Sequence, residues 1–180
     1  MRLFVAILLD EKMKRSLRAI QNGFRRRGVE GNYSPEENLH LTLAFIGEYP
    51  DPDAVLEAMA SLRFAPVELK LSGVGAFDDL WWAGLEESEQ LAALARSVRH
   101  ALADASIPFD RKRFRPHITL LRRARFPGGR SVGEIPAPQA SMSALRVSLM
   151  LSTRGRGGMI YTELGSVPAR PAEEGEGSDG

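Results

Sequence analysis

The tetrapeptide His-x-Thr-x occurs twice in this chain, as His40-Leu41-Thr42-Leu43 and as His117-Ile118-Thr119-Leu120. The whole chain holds only 3 histidines, so two of the three share this setting. Both copies lie in apolar segments typical of strands, where residues i and i+2 point to the same face. Each copy therefore presents an imidazole beside a hydroxyl. Two such strands facing each other would give an acid/base pair and hydroxyl donors around a phosphate, without a metal or a cysteine.

The elements that position the motifs repeat along the chain. A strand ends at Leu9, a helix and a loop follow, and His40 comes 40 − 9 = 31 residues later. A second strand ends at Leu85, again followed by a helix and a loop, and His117 comes 117 − 85 = 32 residues later. This repetition predicts an α+β fold of two pseudo-symmetric lobes, each an antiparallel sheet with helices on the outside, around a central cleft that carries both motifs.

Hydrophobic periodicity predicts the individual elements. Helices are expected over Lys12–Arg27, Asp51–Ser61 and Ser88–Ala105. Strands are expected over Leu3–Leu9, Leu39–Phe45, Val67–Leu71, Leu80–Leu85, His117–Leu121, Leu145–Leu151 and Met159–Leu164, with a turn region over Gly73–Asp79. Residues 1–167 are expected to form one domain. Residues 168–180, rich in Pro, Glu, Gly and Ser, are expected to form a disordered acidic tail.

Charge is unevenly distributed, although the net charge of the chain is only +1. The tail carries Arg170 against four acidic residues, which gives 1 − 4 = −3 and leaves +1 − (−3) = +4 for the rest. Basic clusters, including Arg111–Arg115 and Arg122–Arg125, flank the second motif. A basic neighbourhood of this kind favours an anionic ligand.

The chain contains no cysteine, which excludes disulfides and thiolate zinc sites. The apolar start, Leu3–Leu9, is followed at once by Asp10-Glu11-Lys12 without a small-residue cleavage site, so it is interpreted as a first strand. No apolar run approaches the ~20 residues that span a bilayer. We expect a cytoplasmic monomer that does not enter a membrane.

The two motifs and their surroundings resemble the 2H phosphoesterase superfamily, and within it the RNA 2′,3′-cyclic phosphodiesterases, also called 2′-5′ RNA ligases. The segments that carry the resemblance are Met1–Ile7, Glu37–Gly47, Phe114–Leu120 and Leu149–Tyr161. The resemblance extends over residues 1–167. One departure is Leu121-Arg122-Arg123, where family members more often have a small residue before a single arginine. It leaves open which of the two arginines, if either, meets the ligand.

The resemblance implies that water opens a 2′,3′-cyclic phosphate at an RNA end, or on a nucleotide, to a 2′-phosphomonoester. It also implies that His40 is the proton donor and His117 the proton acceptor. Thr42 and Thr119 would then stabilise the negative charge that grows on the phosphate oxygens. The same site could join a 2′,3′-cyclic phosphate to a 5′-hydroxyl through a 2′-5′ bond. No metal or other cofactor is expected, because the imidazoles and hydroxyls fill the roles that a metal would take.

Further residues are candidates for substrate binding. Arg122 and Arg123 could bind phosphate, and Tyr161 could stack on a base. Phe77, Trp81 and Trp82 could stack in the same way, although aromatic side chains near strands more often belong to a core. His100, the third histidine, lies on a helix and is given no role.

Other functions remain open at this point. The nearest alternative keeps the site and changes the substrate to a 2′-5′ oligonucleotide or a small cyclic nucleotide. Another is a non-catalytic RNA-binding module that uses the basic loops and needs no histidines. A two-histidine metal site is disfavoured, since the motifs offer no carboxylate at ligand spacing and metal sites usually use three protein ligands.

Overall fold

Nine strands and three α-helices make up the part of the chain that the structure, a computed structural model, describes: residues 1–127, 132 and 135–170. The helices are α1 (Glu11–Arg26), α2 (Pro52–Met59) and α3 (Glu89–Asp104). The strands are β1 (Arg2–Leu8), β2 (Glu30–Tyr33), β3 (His40–Glu48), β4 (Val67–Phe77), β5 (Leu80–Leu85), β6 (His117–Arg125), β7 (Ser141–Ala144), β8 (Arg146–Gly155) and β9 (Gly158–Pro168). A single 3-10 turn, Glu36–Asn38, precedes β3.

The strands form two antiparallel sheets of matching order. The first sheet is ordered β3-β1-β8-β9 and the second β2-β6-β5-β4-β7. Without the short β2, the second sheet repeats the first, with β6 in the place of β3 and β5 in the place of β1. The predicted α+β fold of two pseudo-symmetric lobes is therefore confirmed, and each lobe carries one histidine strand.

The two long helices form for local reasons and pack across the duplication. Asp10 caps α1 by accepting a hydrogen bond from the Met13 amide at 2.8 Å, and Ser88 caps α3 through the Leu91 amide at 3.3 Å. Each helix buries one apolar stripe at helical spacing. α1 contacts β6, whereas α3 contacts β3. Each helix therefore packs on the histidine strand of the other half.

Each histidine strand contains a β-bulge at the last residue of its motif. In β3, Val5 pairs with Ala44 and Ala6 with Thr42, so Leu43 is an extra residue. In β6, Leu120 is extra in the same way, because Trp81 pairs with Leu121 and Trp82 with Thr119. A bulge shifts the alternation of side chains by one residue. The residue five positions after each histidine therefore returns to the face that carries the histidine and threonine.

The first sheet has an apolar layer on each face. Its larger layer joins the helices and the second sheet in one core. A smaller cluster on the other layer contains Phe4, Ala6 and Met150, with Phe45 and Tyr161 packed against it. Because Phe4 also contacts His40, this small cluster forms the floor beneath the first histidine.

Strands β2 and β7 were not predicted, and β4 is longer than predicted. The turn predicted over Gly73–Asp79 is wrong for its first part, since β4 continues to Phe77 and only Asp78 and Asp79 form the hairpin turn. Gly73, at φ 70°, takes up the irregularity between Leu71 and Val74 that lets the strand continue. The short strand β2 lies between α1 and His40, where a loop was expected.

The ordered backbone extends slightly past the predicted domain end at Val167. β9 ends at Pro168, the Ala169 amide donates to the Leu145 carbonyl at 2.7 Å, and the Arg170 amide donates to the Phe64 carbonyl at 2.8 Å. The rest of the predicted acidic tail, residues 171–180, lies outside the described residues.

Candidate active site

The two histidines begin the two strands that meet between the sheets. His40 is the first residue of β3 and His117 the first of β6, and these strands contact each other across the two sheets. Thr119 of the second motif lines the same cavity as His40. The two motifs, 117 − 40 = 77 residues apart in sequence, thus share one cleft.

Both imidazoles are held in the same way by their own backbone. Nδ1 of His40 donates to the Asn38 carbonyl at 2.7 Å, and Nδ1 of His117 donates to the Arg115 carbonyl at 2.6 Å. A carbonyl only accepts, so Nδ1 carries the proton in both rings. Nε2 is then the nitrogen of each histidine that can take up or release a proton at the cleft.

His40 lies in an apolar, aromatic environment. Its ring is 4.9 Å from the Phe4 ring and 5.3 Å from the Tyr161 ring, the latter edge to face. Burial lowers the pKa of His40 below its ordinary value, and the positive charges of Arg122 and His117 add to the lowering. The Asn38 carbonyl opposes it. His40 therefore holds its proton less firmly than a free imidazole.

His117 has a different pair of aromatic neighbours. The Phe77 ring stands edge to face at 5.4 Å, and the Trp82 ring lies at 6.2 Å. These side chains come from β4 and β5, the strands that correspond to β8 and β1 of the other half. The two half-sites thus share their backbone plan and differ in their surroundings.

The threonines occupy unequal positions. The Thr42 hydroxyl lies 2.9 Å from Nε2 of His40 and donates to it when the imidazole is neutral. Thr119 instead lines the cavity next to His40. A phosphate in the cavity could therefore accept a hydrogen bond from the Thr119 hydroxyl directly. The Thr42 hydroxyl would first have to give up its hydrogen bond to His40.

A cavity of about 450 Å³ opens on the His40 side of the cleft. It is lined by Tyr161 of β9, by Arg122 and Thr119 of β6, and by the turn that leads from β2 to His40. Its size is typical of small-ligand pockets. Arg123 does not reach it and lines a separate depression with Asp79 and Arg125. Of the two arginines left open by the sequence, only Arg122 lies beside His40.

The bulge explains which arginine enters the cavity. Since Leu120 is extra, Leu120 and Leu121 are both buried and Arg122 follows Thr119 on the open face. Arg123 then has φ 53°, in the left-handed region that non-glycine residues seldom adopt. Arg123 lies opposite Gly31, where the pairing of β2 with β6 is irregular.

Asn38 is a site residue that sequence patterns did not single out. Its carbonyl fixes His40, and its side-chain amide donates to the Met159 carbonyl at 2.8 Å. It therefore ties the first motif to the β8–β9 hairpin that carries Tyr161. Its position two residues before the histidine was the only available signal, and it matches that of Arg115 before His117.

Within residues 1–127, 132 and 135–170, no group of three or more acidic or histidine side chains is close enough to hold a metal ion. In the same part of the chain, no helix has both the length and the apolar character needed to cross a membrane.

Comparison with known proteins gives consistent matches along the chain. A family model described as the 2′-5′ RNA ligase superfamily matches residues 10–155. The RNA 2′,3′-cyclic phosphodiesterase of Thermotoga maritima is 30% identical over 176 residues, which cover 91% of this chain and 93% of that protein. Two solved structures resemble the fold at TM-score 0.78: TT0787 of Thermus thermophilus, at 31% identity, and E. coli LigT complexed with 3′-AMP, at 28%. Each comparison covers 94% of this chain and 98% of the other.

The Arg122 charge should be measurable at His40. Arg122→Gln should raise the pKa of His40, because it removes a positive charge that favours the neutral imidazole. An NMR titration of the histidine ring signals measures the midpoint. The matched control is Arg123→Gln, which removes the neighbouring charge outside the cavity and should leave the His40 midpoint in place. An equal shift in both variants would contradict the placement of Arg122.

Proposed function

The chain belongs to the 2′-5′ RNA ligase superfamily of 2H phosphoesterases, and we propose that it hydrolyses 2′,3′-cyclic phosphate ends of RNA to 2′-phosphomonoesters without a metal ion. The observation that carries the proposal is the pair of imidazoles on facing strands, each with Nδ1 fixed by a backbone carbonyl. Two such groups can act from opposite sides of one phosphorus atom, as an in-line displacement requires.

The proposed reaction moves two protons and exchanges one bond. His117 takes a proton from water, whose oxygen attacks phosphorus. The bond from phosphorus to the 3′-oxygen breaks, and His40 gives its proton to that oxygen. Negative charge on the non-bridging oxygens is stabilised by Arg122 and by the hydroxyls of Thr119 and Thr42. After turnover His117 is protonated and His40 neutral, so exchange with solvent restores the starting state.

The environment of His40 suits the role of the acid. Burial and the nearby positive charges lower its pKa, and a protonated imidazole with a lowered pKa is the stronger proton donor. A bound phosphate brings a negative charge, which counteracts the lowering and favours the protonated form in the complex. The assignment of His40 as donor and His117 as acceptor comes from the family resemblance and is compatible with this environment.

A second feature favours RNA over a small cyclic nucleotide. Helix α1 carries six basic side chains and one acidic side chain: Lys12, Lys14, Arg15, Arg18, Arg25, Arg26 and Glu11. A groove beside it is lined by Arg18, Arg25 and the segment Tyr33–Glu36. Tyr33, Ser34 and Pro35 also line the cavity at His40, so the groove and the cavity border the same segment. We propose that the RNA preceding the cyclic phosphate follows this groove.

Hydrolysis by the two histidines is tested with an RNA oligomer ending in a 2′,3′-cyclic phosphate, in excess EDTA. The wild type should form the 2′-phosphate, and His40→Ala and His117→Ala should each lower kcat by about 10²–10⁴-fold. His100→Ala is the matched control, because His100 is exposed on α3 and pairs with Asp104. A 3′-phosphate product would show that the 2′-oxygen leaves and not the 3′-oxygen. RNA binding without turnover by the wild type would favour the binding-module alternative.

A substrate with sulfur in place of the bridging 3′-oxygen distinguishes the acid from the base. A thiolate leaves without a proton, since thiols ionise near pKa ~8.5, far below an alcohol. If His40 is the donor, His40→Ala should lose much less activity on the sulfur substrate than on the oxygen substrate. His117→Ala should lose the same on both. Rates of cyclic-ester opening measure this, and the opposite pattern would exchange the two roles.

The groove along α1 is tested by Arg18→Gln combined with Arg25→Gln. This double variant should lower kcat/KM for an RNA oligomer and make its logarithmic salt dependence shallower by about one unit per lost phosphate contact. Activity on a mononucleoside 2′,3′-cyclic phosphate should change little, because that substrate does not reach the groove. Arg96→Gln, on the exposed face of α3, is the control. Equal loss on both substrates would contradict an RNA path along α1.

A further inference from the structure

An aromatic surface stands beside His117, outside the cavity that holds His40. It consists of Phe77, the last residue of β4, and Trp82 of β5, whose rings lie 5.1 Å apart and tilted by 42°. We call these two side chains the Phe77–Trp82 platform. Phe77 is 38% exposed, although it lies in a regular strand pair opposite Leu80. A large apolar ring is therefore kept open to solvent at the edge of the site.

The platform is rigidly built. A Cβ at Gly75 would overlap the six-membered ring of Trp82, so the absence of a side chain lets the β4 backbone pack directly on that ring. Trp82 Nε1 is buried and has no hydrogen-bond partner among the described residues, so packing alone holds the indole. Trp82 in turn supports Phe77, and Phe77 meets the edge of His117. A preformed aromatic surface binds a flat ring at low entropic cost.

The platform and the cavity lie beside different histidines, the platform at His117 and the cavity at His40. The cavity is lined by His40 and Thr119, and neither His117 nor Phe77 belongs to its lining. In an in-line displacement, the attacking and departing oxygens are on opposite sides of phosphorus, each next to one imidazole. If the nucleoside with the cyclic phosphate fills the cavity beside His40, the attacking group stands beside His117. Whatever carries that group then meets the platform.

A water molecule gains nothing from an aromatic surface, whereas a nucleoside with a 5′-hydroxyl can stack its base on one. Nucleobases stack on exposed aromatic rings with little dependence on sequence. The basic loop Arg111–Arg115, whose last carbonyl holds His117, adds positive charge on this side for the phosphates that follow such a nucleoside. The hairpin tip Asp78–Asp79 next to Phe77 is acidic, so the strand would leave in the direction of the basic loop.

We propose that the Phe77–Trp82 platform binds the terminal base of a second RNA strand that carries a 5′-hydroxyl, so that the cleft accepts two RNA ends. The inference rests on the proposed function. The 5′-oxygen replaces water as the nucleophile: its proton goes to His117, its bond to phosphorus forms, the bond to the 3′-oxygen breaks, and His40 protonates that oxygen. The product is a 2′-5′ phosphodiester, and opening of the strained cyclic ester supplies the driving force. The platform distinguishes joining of ends from simple hydrolysis.

The experiment measures both reactions on the same cyclic-phosphate oligomer, with and without a 5′-hydroxyl oligomer as acceptor. Phe77→Ala should lower the ratio of ligation to hydrolysis roughly tenfold, by raising the KM for the acceptor. Phe77→Tyr retains a ring and should restore the ratio. Leu145→Ala is the control, because Leu145 is another exposed apolar side chain and lies away from the site. The hydrolysis rate of each variant reports whether His117 is still correctly held.

An acceptor without its first base separates stacking from a structural effect. With the abasic acceptor, the ratio of ligation to hydrolysis of the wild type should fall about as far as it falls in Phe77→Ala with the normal acceptor. Phe77→Ala should show no further fall with the abasic acceptor. Independent, additive losses would overturn the inference, as would parallel losses of ligation and hydrolysis in Phe77→Ala. A wild type that hydrolyses the cyclic phosphate but never joins ends would overturn it and leave the proposed function standing. A wild type that does not hydrolyse the cyclic phosphate would overturn both.

Discussion

A bulge at the last residue of each motif determines the geometry on which the site depends. Leu43 in β3 has no partner in β1, and Leu120 in β6 has none in β5. Their carbonyls accept hydrogen bonds from side chains: Leu120 from Nε2 of Gln21 at 3.0 Å, and Leu43 from Nε of Arg99 at 3.3 Å. The Leu120 carbonyl also accepts from the Ser34 amide at 2.9 Å. Gln21 lies on α1 and Arg99 on α3. Since each helix comes from the other half of the duplication, the bulge of each half is hydrogen-bonded by a side chain of the other half.

The duplicated backbone creates two chemically distinct histidines because the side chains around them differ. Phe4 and Tyr161 shield His40, and Arg122 places a positive charge beside it, so its proton is held less firmly. His117 instead meets aromatic rings of the second sheet, one of them open to solvent. Near-identical motifs thus hold their imidazoles in different environments, as the proposed roles of acid and base require. The difference lies in the strands beside them, and it is the reason that the motifs alone could not order the two roles.

The sequence predicted the parts of this protein that depend on local pattern. The two motif strands, the capped helices α1 and α3, and the two-lobed architecture all follow from periodicity and spacing. What depends on pairing could not be predicted. β2 is short and polar, and it is a strand only because β6 offers it an edge. Nothing in the sequence distinguishes Arg122 from Arg123. The bulge, which forms only when the strands pair, places Arg122 in the cavity and Arg123 outside it. β4 was predicted to end early because its glycines are typical of turns. In the structure, Gly73 lies at a bulge, and Gly75 leaves room for the Trp82 ring.

The asymmetry of the cleft follows from what each sheet has at its edge. The second sheet gains β2, which pairs with β6 and carries the chain from basic helix α1 into the cavity at His40. The first sheet gains no such strand, and β3 remains at its edge. A groove along α1, in which Arg18 pairs with Glu36, therefore borders the His40 side of the cleft, whereas the His117 side presents aromatic rings and a basic loop. In the proposed reactions, the RNA with the cyclic ester would enter along this groove, and a second chain end would approach beside His117. The one strand that departs from the two-fold repeat, β2, thus makes the two sides of the cleft different.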